Sequence, residues 1–410
     1  MRVLCTAIGS PSHGRALLPV ARALAGAGHD VTVATTDAVA PVFAQDDVTV
    51  SVCMPPLVLL PQEEGAGGGP PGREEDAHIP MMIDVLAGTY APEGLRVLSA
   101  AAREVRPDLL IRDGMDLASC LLAERLGVAQ VPFPSGFANV ADPARIVWAL
   151  GGARERLGLA PDDDPASLHP HGRLDYLPPD YAFAAHPAPV LAYRQTTAVA
   201  RAAALPGWVA RLPADRPLVV AAFGTALPMV RTMTEDGRMP EGMTDPVAAL
   251  AAVVAALSRL RCAAVVATGG IPLVGVEPGR HVHLTERIAQ PLLLECADLF
   301  VHHGGYNGVR EAVRTGTPMA VLPHFGDQYH NARRVEELGL GVRPADTRPA
   351  ALAATLERLL ADTETAARVR RAQRAVLALP DLGRAPADLE ALAARVRGTA
   401  AVPPPAAARL

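Results

Sequence analysis

"HHGGYNGVREAV", residues 302–313, follows the apolar run "CADLFV" (296–301) and decides how the rest of the chain is read. A β-prone run ends in His302 and His303, passes through Gly304 and Gly305, and enters a helical segment at Tyr306, Asn307 and Gly308. Small residues at such a junction let a backbone approach a ligand closely. The first turn of a helix also presents unpaired N–H groups and the positive end of its dipole. Anions bind at such places. A glycine-rich turn alone is weak, so the surrounding pattern has to decide.

The same design opens the chain. "RVLCTAI" (2–8) is a continuous apolar run, "GSPSHG" (9–14) a turn, and "RALLPVARALAGAGH" (15–29) a segment with helical apolar spacing. Gly28 can stop that helix, and "DVTVAT" (30–35) is the next strand. This is a strand–helix–strand unit, the building block of a parallel sheet. "PDLLIRDG" (107–114), "LASCLLAERL" (117–126) and "GVAQVPF" (127–133) continue it as strand, helix and strand.

The pattern restarts in the second half. "RPLVVAAFGT" (216–225), "CAAVVAT" (262–268), "LFVHHGG" (299–305) and "PMAVLP" (318–323) read as strands, with helices around 246–260, 307–315 and 328–338. Continuous runs rather than alternation mean strands covered on both faces. The expected fold class is α/β, with two doubly wound, Rossmann-like domains facing across a cleft. The first domain is expected over 1–200, a linker over 201–216 and the second domain over 217–386. A short amphipathic helix over 387–398 is expected to pack back toward the first domain, ahead of a disordered tail at 399–410. The Gly- and Pro-rich stretches 60–77 and 227–243 read as loops.

Composition narrows the chemistry. The chain has 410 residues, a net charge of −5 and interspersed charges, with no basic stripe for nucleic acid. All 38 basic residues are Arg, which rules out a phosphate-loop lysine and a lysine Schiff base. The five cysteines, at 5, 53, 120, 262 and 296, form no CxxC pair and read as buried thiols of a reducing compartment. The longest apolar run, 246–260, is shorter than a membrane span. No membrane span and a cytoplasmic location are expected. A dinucleotide-binding fingerprint would need glycine at position 11, where Pro11 removes an N–H and adds a ring.

Over residues 302–335, "HHGGYNGVREAVRTGTPMAVLPHFGDQYHNARRV" resembles the donor-binding signature of GT-B glycosyltransferases, both actinobacterial natural-product (antibiotic) enzymes and plant secondary-product enzymes. The likeness extends through "RIAQPLLLECADLFVHHGG" (287–305), "FGT" (223–225) and the opening strand, turn and helix. It implies a nucleotide-sugar donor held by the second domain and a small acceptor held by the first.

The donor residues it implies are Gly224, Thr225, Arg287, Ile288, Gln290, His303, Gly305, Tyr306, Asn307, Gly308, Glu311, Asp327 and Gln328. Gly305, Asn307 and Gly308 would supply N–H donors to the diphosphate, and His303 would donate to a phosphate oxygen. Glu311 lies one helical turn beyond Asn307 and could accept from ribose hydroxyls. By resemblance, Asp327 and Gln328 hold the sugar. The chain departs from the pattern at Gly308, often Ser or Thr, and at Arg287, where plant enzymes stack a tryptophan on uracil; a guanidinium plane can stack there too.

His13 lies where this family places its catalytic base, and Asp113 where it places the acid that orients it. From the residues alone, the two could equally be a helix-start histidine and a strand-end aspartate bonded to backbone. An acceptor hydroxyl is a poor nucleophile at neutral pH, so a base must take its proton as the sugar carbon is attacked. Direct displacement would invert the anomeric centre. The resemblance therefore implies an inverting hexosyl or deoxyhexosyl transferase, with thymidine diphosphate favoured over uridine diphosphate. The nucleotide sugar would be a co-substrate, with no cofactor. No metal is expected, since the aspartate triplet, Asp162–Asp164, reads as a solvated turn. Oligomeric state stays open, a homodimer included. Two alternatives remain: a non-catalytic helper of another glycosyltransferase, and a nucleotide-sugar epimerase or hydrolase of the same fold.

Overall fold

A computed structural model describes residues 1–57, 78–196, 201, 203–224, 245–271, 273 and 275–400. Two parallel sheets organise it. The first contains β1 (Arg2–Ala7), β2 (Asp30–Thr35), β3 (Thr49–Val52), β4 (Leu109–Arg112) and β5 (Ala129–Pro132), in the order β3-β2-β1-β4-β5. A short parallel pair, β6 (Arg173–Asp175) and β7 (Val190–Ala192), follows. The second sheet contains β8 (Leu218–Ala222), β9 (Ala263–Ala267), β10 (Val282–Thr285), β11 (Leu299–His302), β12 (Met319–Val321) and β13 (Gly341–Val342), in the order β10-β9-β8-β11-β12-β13.

The central strands are the continuous apolar runs. Cys5 of β1 pairs with Val33 on one side and Ile111 on the other, and all three are buried. Val301 of β11 pairs in the same way with Ala221 and Ala320. Helices cover both faces, as parallel strands require. In the first unit these are α1 (Pro11–Gly26), α2 (His78–Val85), α3 (Ala91–Val105), α4 (Ala118–Leu126), α5 (Gly136–Val140) and α6 (Pro143–Leu157). In the second they are α7 (Pro246–Leu257), α8 (Gln290–Leu293), α9 (Tyr306–Thr315), α10 (Asp327–Glu337), α11 (Pro349–Ala361) and α12 (Thr363–Leu377). Aspartate caps start several of them: Asp142, Asp245 and Asp362 each accept a hydrogen bond from the first helical turn.

The last helix, α13 (Ala385–Ala400), returns to the first unit, where Leu389 and Leu392 share a core with Leu17, Ala21 and Leu24 of α1. It starts two residues earlier than the amphipathic pattern indicates and includes Thr399 and Ala400. The chain passes between the units twice, and the two passages lie side by side. Arg194 N–H donates to the Pro380 carbonyl at 2.8 Å, and its guanidinium reaches Asp381 at 2.7 Å. Residues before the expected linker already take part in the second core, which includes Leu177 and Phe183.

In each sheet the strand order reverses direction at one point, between β1 and β4 and between β8 and β11. Open α/β sheets bind ligands at such switch points, beyond the C-terminal strand ends. His13 follows β1 and Asp113 follows β4; Gly224 follows β8 and His303 follows β11. His13 and Asp113 thus fall at the first switch point, and Gly224 and His303 at the second. Among the described residues, no helix is long and apolar enough to cross a membrane.

Candidate active site

The first switch point holds a histidine–aspartate dyad. His13 sits in the first turn of α1, and its Nδ1 lies 2.7 Å from Oδ2 of Asp113. Asp113 is fully buried and firmly placed: its oxygens also accept from the N–H of Ile8 at 3.0 Å and of Met115 at 3.1 Å. With Nδ1 committed to Asp113, Nε2 is the nitrogen able to take a proton. Burial works to lower the pKa of His13, but the charge and hydrogen bond of Asp113 outweigh it, with Asp327 adding to them and Arg15 opposing. The net result is a pKa above the ordinary histidine value of 6.5.

The second switch point holds His303, packed between two glycines. Gly224 has φ +76°, and a Cβ there would lie 2.6 Å from Cε1 of the ring; a Cβ on Gly305 would collide with Nε2. Both positions therefore need glycine. Burial pushes His303 down to about 4, partly offset by a hydrogen bond with the Ala222 backbone. At neutral pH the ring is uncharged and has one N–H, for which the Ala222 backbone and an anion at the turn would compete. Gly305 caps α9, whose first N–H groups have no intrahelical acceptor. Thr225 lies outside the described residues.

The other expected donor residues differ in how the protein holds them. Gln290 Nε2 donates to Glu311 Oε2 at 2.6 Å, joining the start of α8 to α9. Burial raises the pKa of Glu311, opposed by Gln290, Arg310 and Arg15. Ile288 packs at the edge of the second core, and the Arg287 side chain is 88% exposed beside Glu286, open to a stacking partner.

Asp327 begins α10 and accepts from Asn331 Nδ2 at 2.7 Å. The same Asn331 amide donates to the Gly304 carbonyl at 2.8 Å, tying α10 to the glycine turn. Burial raises Asp327 to about 6, against the pull of Asn331 and His13. Asp327 also rests on Gly136 at the start of α5, where any side chain would overlap its carboxylate.

Two side chains are oriented differently from the expectation. The Tyr306 ring is buried, and its hydroxyl donates to Asp175 at 2.8 Å, so its side chain joins the two units rather than facing a donor. Only its backbone N–H remains for an anion. The Gln328 side-chain oxygen accepts from the N–H groups of His324 at 2.9 Å and Phe325 at 3.3 Å, so any ligand contact falls to its amide nitrogen. Packing decides both cases, and sequence spacing carries no signal of it.

Asn307 reaches the turn that carries His13. Its Nδ2 donates across the cleft to the Ser12 carbonyl at 2.8 Å, and its Oδ1 accepts from Arg310. The two switch points are therefore bridged directly at the residue before His13. Sequence reasoning finds Asn307 but misses this bridge, as well as Arg310, Asn331 and Gly136. The motif's Asn three positions after Gln328 is the one signal that could have found Asn331. Asp162 and Asp164 form a turn, in which Asp162 accepts from the Asp164 N–H at 3.0 Å.

Comparison with known proteins finds glycosyltransferases in sequence and in fold. Residues 252–392 match the family model described as erythromycin biosynthesis protein CIII-like, C-terminal domain. The L-demethylnoviosyl transferase of Streptomyces niveus is 28% identical over 372 residues, which cover 85% of this chain and 86% of that protein. Spinosyn rhamnosyltransferase SpnG superposes with a TM-score of 0.76 at 21% identity, covering 95% of this chain and all of the other. Glycosyltransferase VinC, solved in complex with DTDP, superposes with a TM-score of 0.68 at 24% identity, covering 96% of this chain and all of the other. The chain thus has the GT-B fold and is similar in sequence to natural-product glycosyltransferases, with residues 252–392 matching the erythromycin CIII-like C-terminal domain.

Proposed function

We propose that this protein is an inverting glycosyltransferase that moves a sugar, a deoxysugar by preference, from a nucleoside diphosphate to a small, largely apolar acceptor. The reading takes thymidine diphosphate as the favoured leaving group, because a structural neighbour was solved with DTDP. One observation carries the proposal: the His13–Asp113 dyad faces the free N–H groups of α9 across a cleft bridged by Asn307.

The chemistry follows from that arrangement. The acceptor oxygen attacks the anomeric carbon from the face opposite the diphosphate. The bond from that carbon to the phosphate oxygen breaks, and its electron pair leaves with the diphosphate. The acceptor's proton passes to Nε2 of His13, and Asp113 stabilises the imidazolium that forms. His303 and the N–H groups of Gly305, Asn307 and Gly308 receive the charge building on the leaving group. Glu311, held by Gln290, would accept from ribose hydroxyls. Asp327 and the Gln328 amide nitrogen would bind the sugar hydroxyls. No step in this scheme calls for a metal.

The test is direct. Incubation with thymidine and uridine diphosphate sugars and a panel of phenolic acceptors should give a glycoside with inverted anomeric configuration, faster from thymidine donors. A product of retained configuration would overturn the mechanism. Diphosphate release that does not depend on acceptor would favour a hydrolase.

A further inference from the structure

Arg310 is almost completely buried, yet among the described residues it forms no ion pair with a carboxylate. Its guanidinium lies between two aromatic faces, 4.9 Å from the centroid of Tyr176 and 5.1 Å from that of Tyr306. Tyr176 belongs to the first unit's core and Tyr306 begins α9. Nε and Nη1 have no hydrogen-bond partner among the described residues; Nη2 donates to Oδ1 of Asn307. A buried cation that makes one side-chain hydrogen bond is costly to keep for stability alone. What that bond does is fix a direction.

Guanidinium only donates, so it can meet only the oxygen of the Asn307 amide. The amide nitrogen must then point the other way, toward the Ser12 carbonyl 2.8 Å distant. Ser12 is the residue before His13, and the N–H of His13 is itself held by the Ser10 carbonyl at 2.9 Å. The turn that carries His13 is thus gripped from the second unit through its backbone and from Asp113 through the imidazole ring.

We infer that Arg310 is a positioning residue: by orienting the Asn307 amide, it holds the Ser12–His13 turn against Asp113 and couples the donor-binding helix to the base. This rests on the reading of His13 as the base. The geometric part of it, a grip on the His13 turn, can be measured without any turnover. The charged groups acting on His13 are Asp113, Asp327 and Arg15. Any loosening of the turn from Asp113 shows as a change in the titration of the ring.

The experiment follows the Cε1–H resonance of His13 by NMR in the full-length protein, assigned by its loss in His13→Ala. Arg310→Met keeps the length of the side chain and removes its donors. The His13 midpoint should fall by about half a pH unit or more as contact with the carboxylate weakens. Arg310→Lys, which can still donate to Asn307, should recover part of the shift. If Arg310→Met does not fold, Asn307→Ala breaks the same bridge and should move the midpoint in the same direction. An unchanged His13 titration in a folded variant overturns the inference.

Turnover supplies a second arm. Arg310→Met should lower kcat about tenfold in the wild-type background, the scale of a modest misplacement, and change it little in the His13→Ala background. A loss of equal size in both backgrounds would assign Arg310 to donor binding or folding and overturn the inference. Should His13→Ala alone leave turnover intact, the reading of His13 as base fails, while the titration arm still decides whether Arg310 grips the turn.

Discussion

Asp113 places Oδ2 2.7 Å from Nδ1 of His13, and the two come from turns that follow neighbouring strands of the first sheet. The carboxylate opposes the effect of burial and holds His13 above its ordinary pKa. A base must be uncharged to accept a proton. Activity should therefore fall as pH drops through a midpoint above 6.5, the value His13 would otherwise have. Asp113→Asn removes the anion and leaves burial unopposed by its strongest counterweight. The midpoint should move to lower pH while the plateau rate falls. An acid limb that stays in place in Asp113→Asn would show that another group controls it.

Asp327 makes a prediction about stability. Its carboxyl is raised from 3.8 to about 6 by burial, so folding favours the protonated form. A group whose folded pKa is raised contributes stability below its unfolded value and loses it as pH rises through the folded value. Asp327→Asn should thus melt higher than wild type at pH 8, by roughly 1–3 kcal/mol, and the advantage should disappear below about pH 4. The same variant should transfer sugar poorly. Equal pH dependence of melting in both proteins would show that Asp327 is not strained by its setting.

His303 should report on the diphosphate. His303→Ala should weaken thymidine diphosphate binding by roughly 1.5–3 kcal/mol, the range for a hydrogen bond to a charged group. Gly305→Val should do worse, because its side chain displaces the His303 ring and also blocks the approach to α9. Calorimetry with and without EDTA should give one affinity. Collapse of binding on chelation would place a metal at the diphosphate.

The fold was legible where strands are central and buried. "RVLCTAI" and "LFVHHGG" show unbroken apolar runs because both faces of β1 and β11 are covered. The edge strands β3 and β10 were not, since "TVSV" and "VHLT" are short and partly exposed. His13 and Asp113 could be found because strand ends at a switch point are where such sheets place ligands. The Asn307–Ser12 contact spans 295 residues and depends on how the two units meet, which no local pattern records. Tyr306 illustrates the same limit. A residue inside a binding motif turned out to spend its hydroxyl on Asp175, a partner in a segment with no recognisable motif.

Comparing binding with turnover in His13→Ala tests the central claim most directly. If His13 acts as the base and not as a diphosphate ligand, thymidine diphosphate should bind the variant about as it binds wild type. Turnover should drop by ~10²–10⁴-fold, the usual cost of losing a general base. The drop should shrink for an acidic phenol, which needs less help in losing its proton. A variant that turns over normally, or one that loses only its affinity for the donor, would contradict the assignment of His13 as the base.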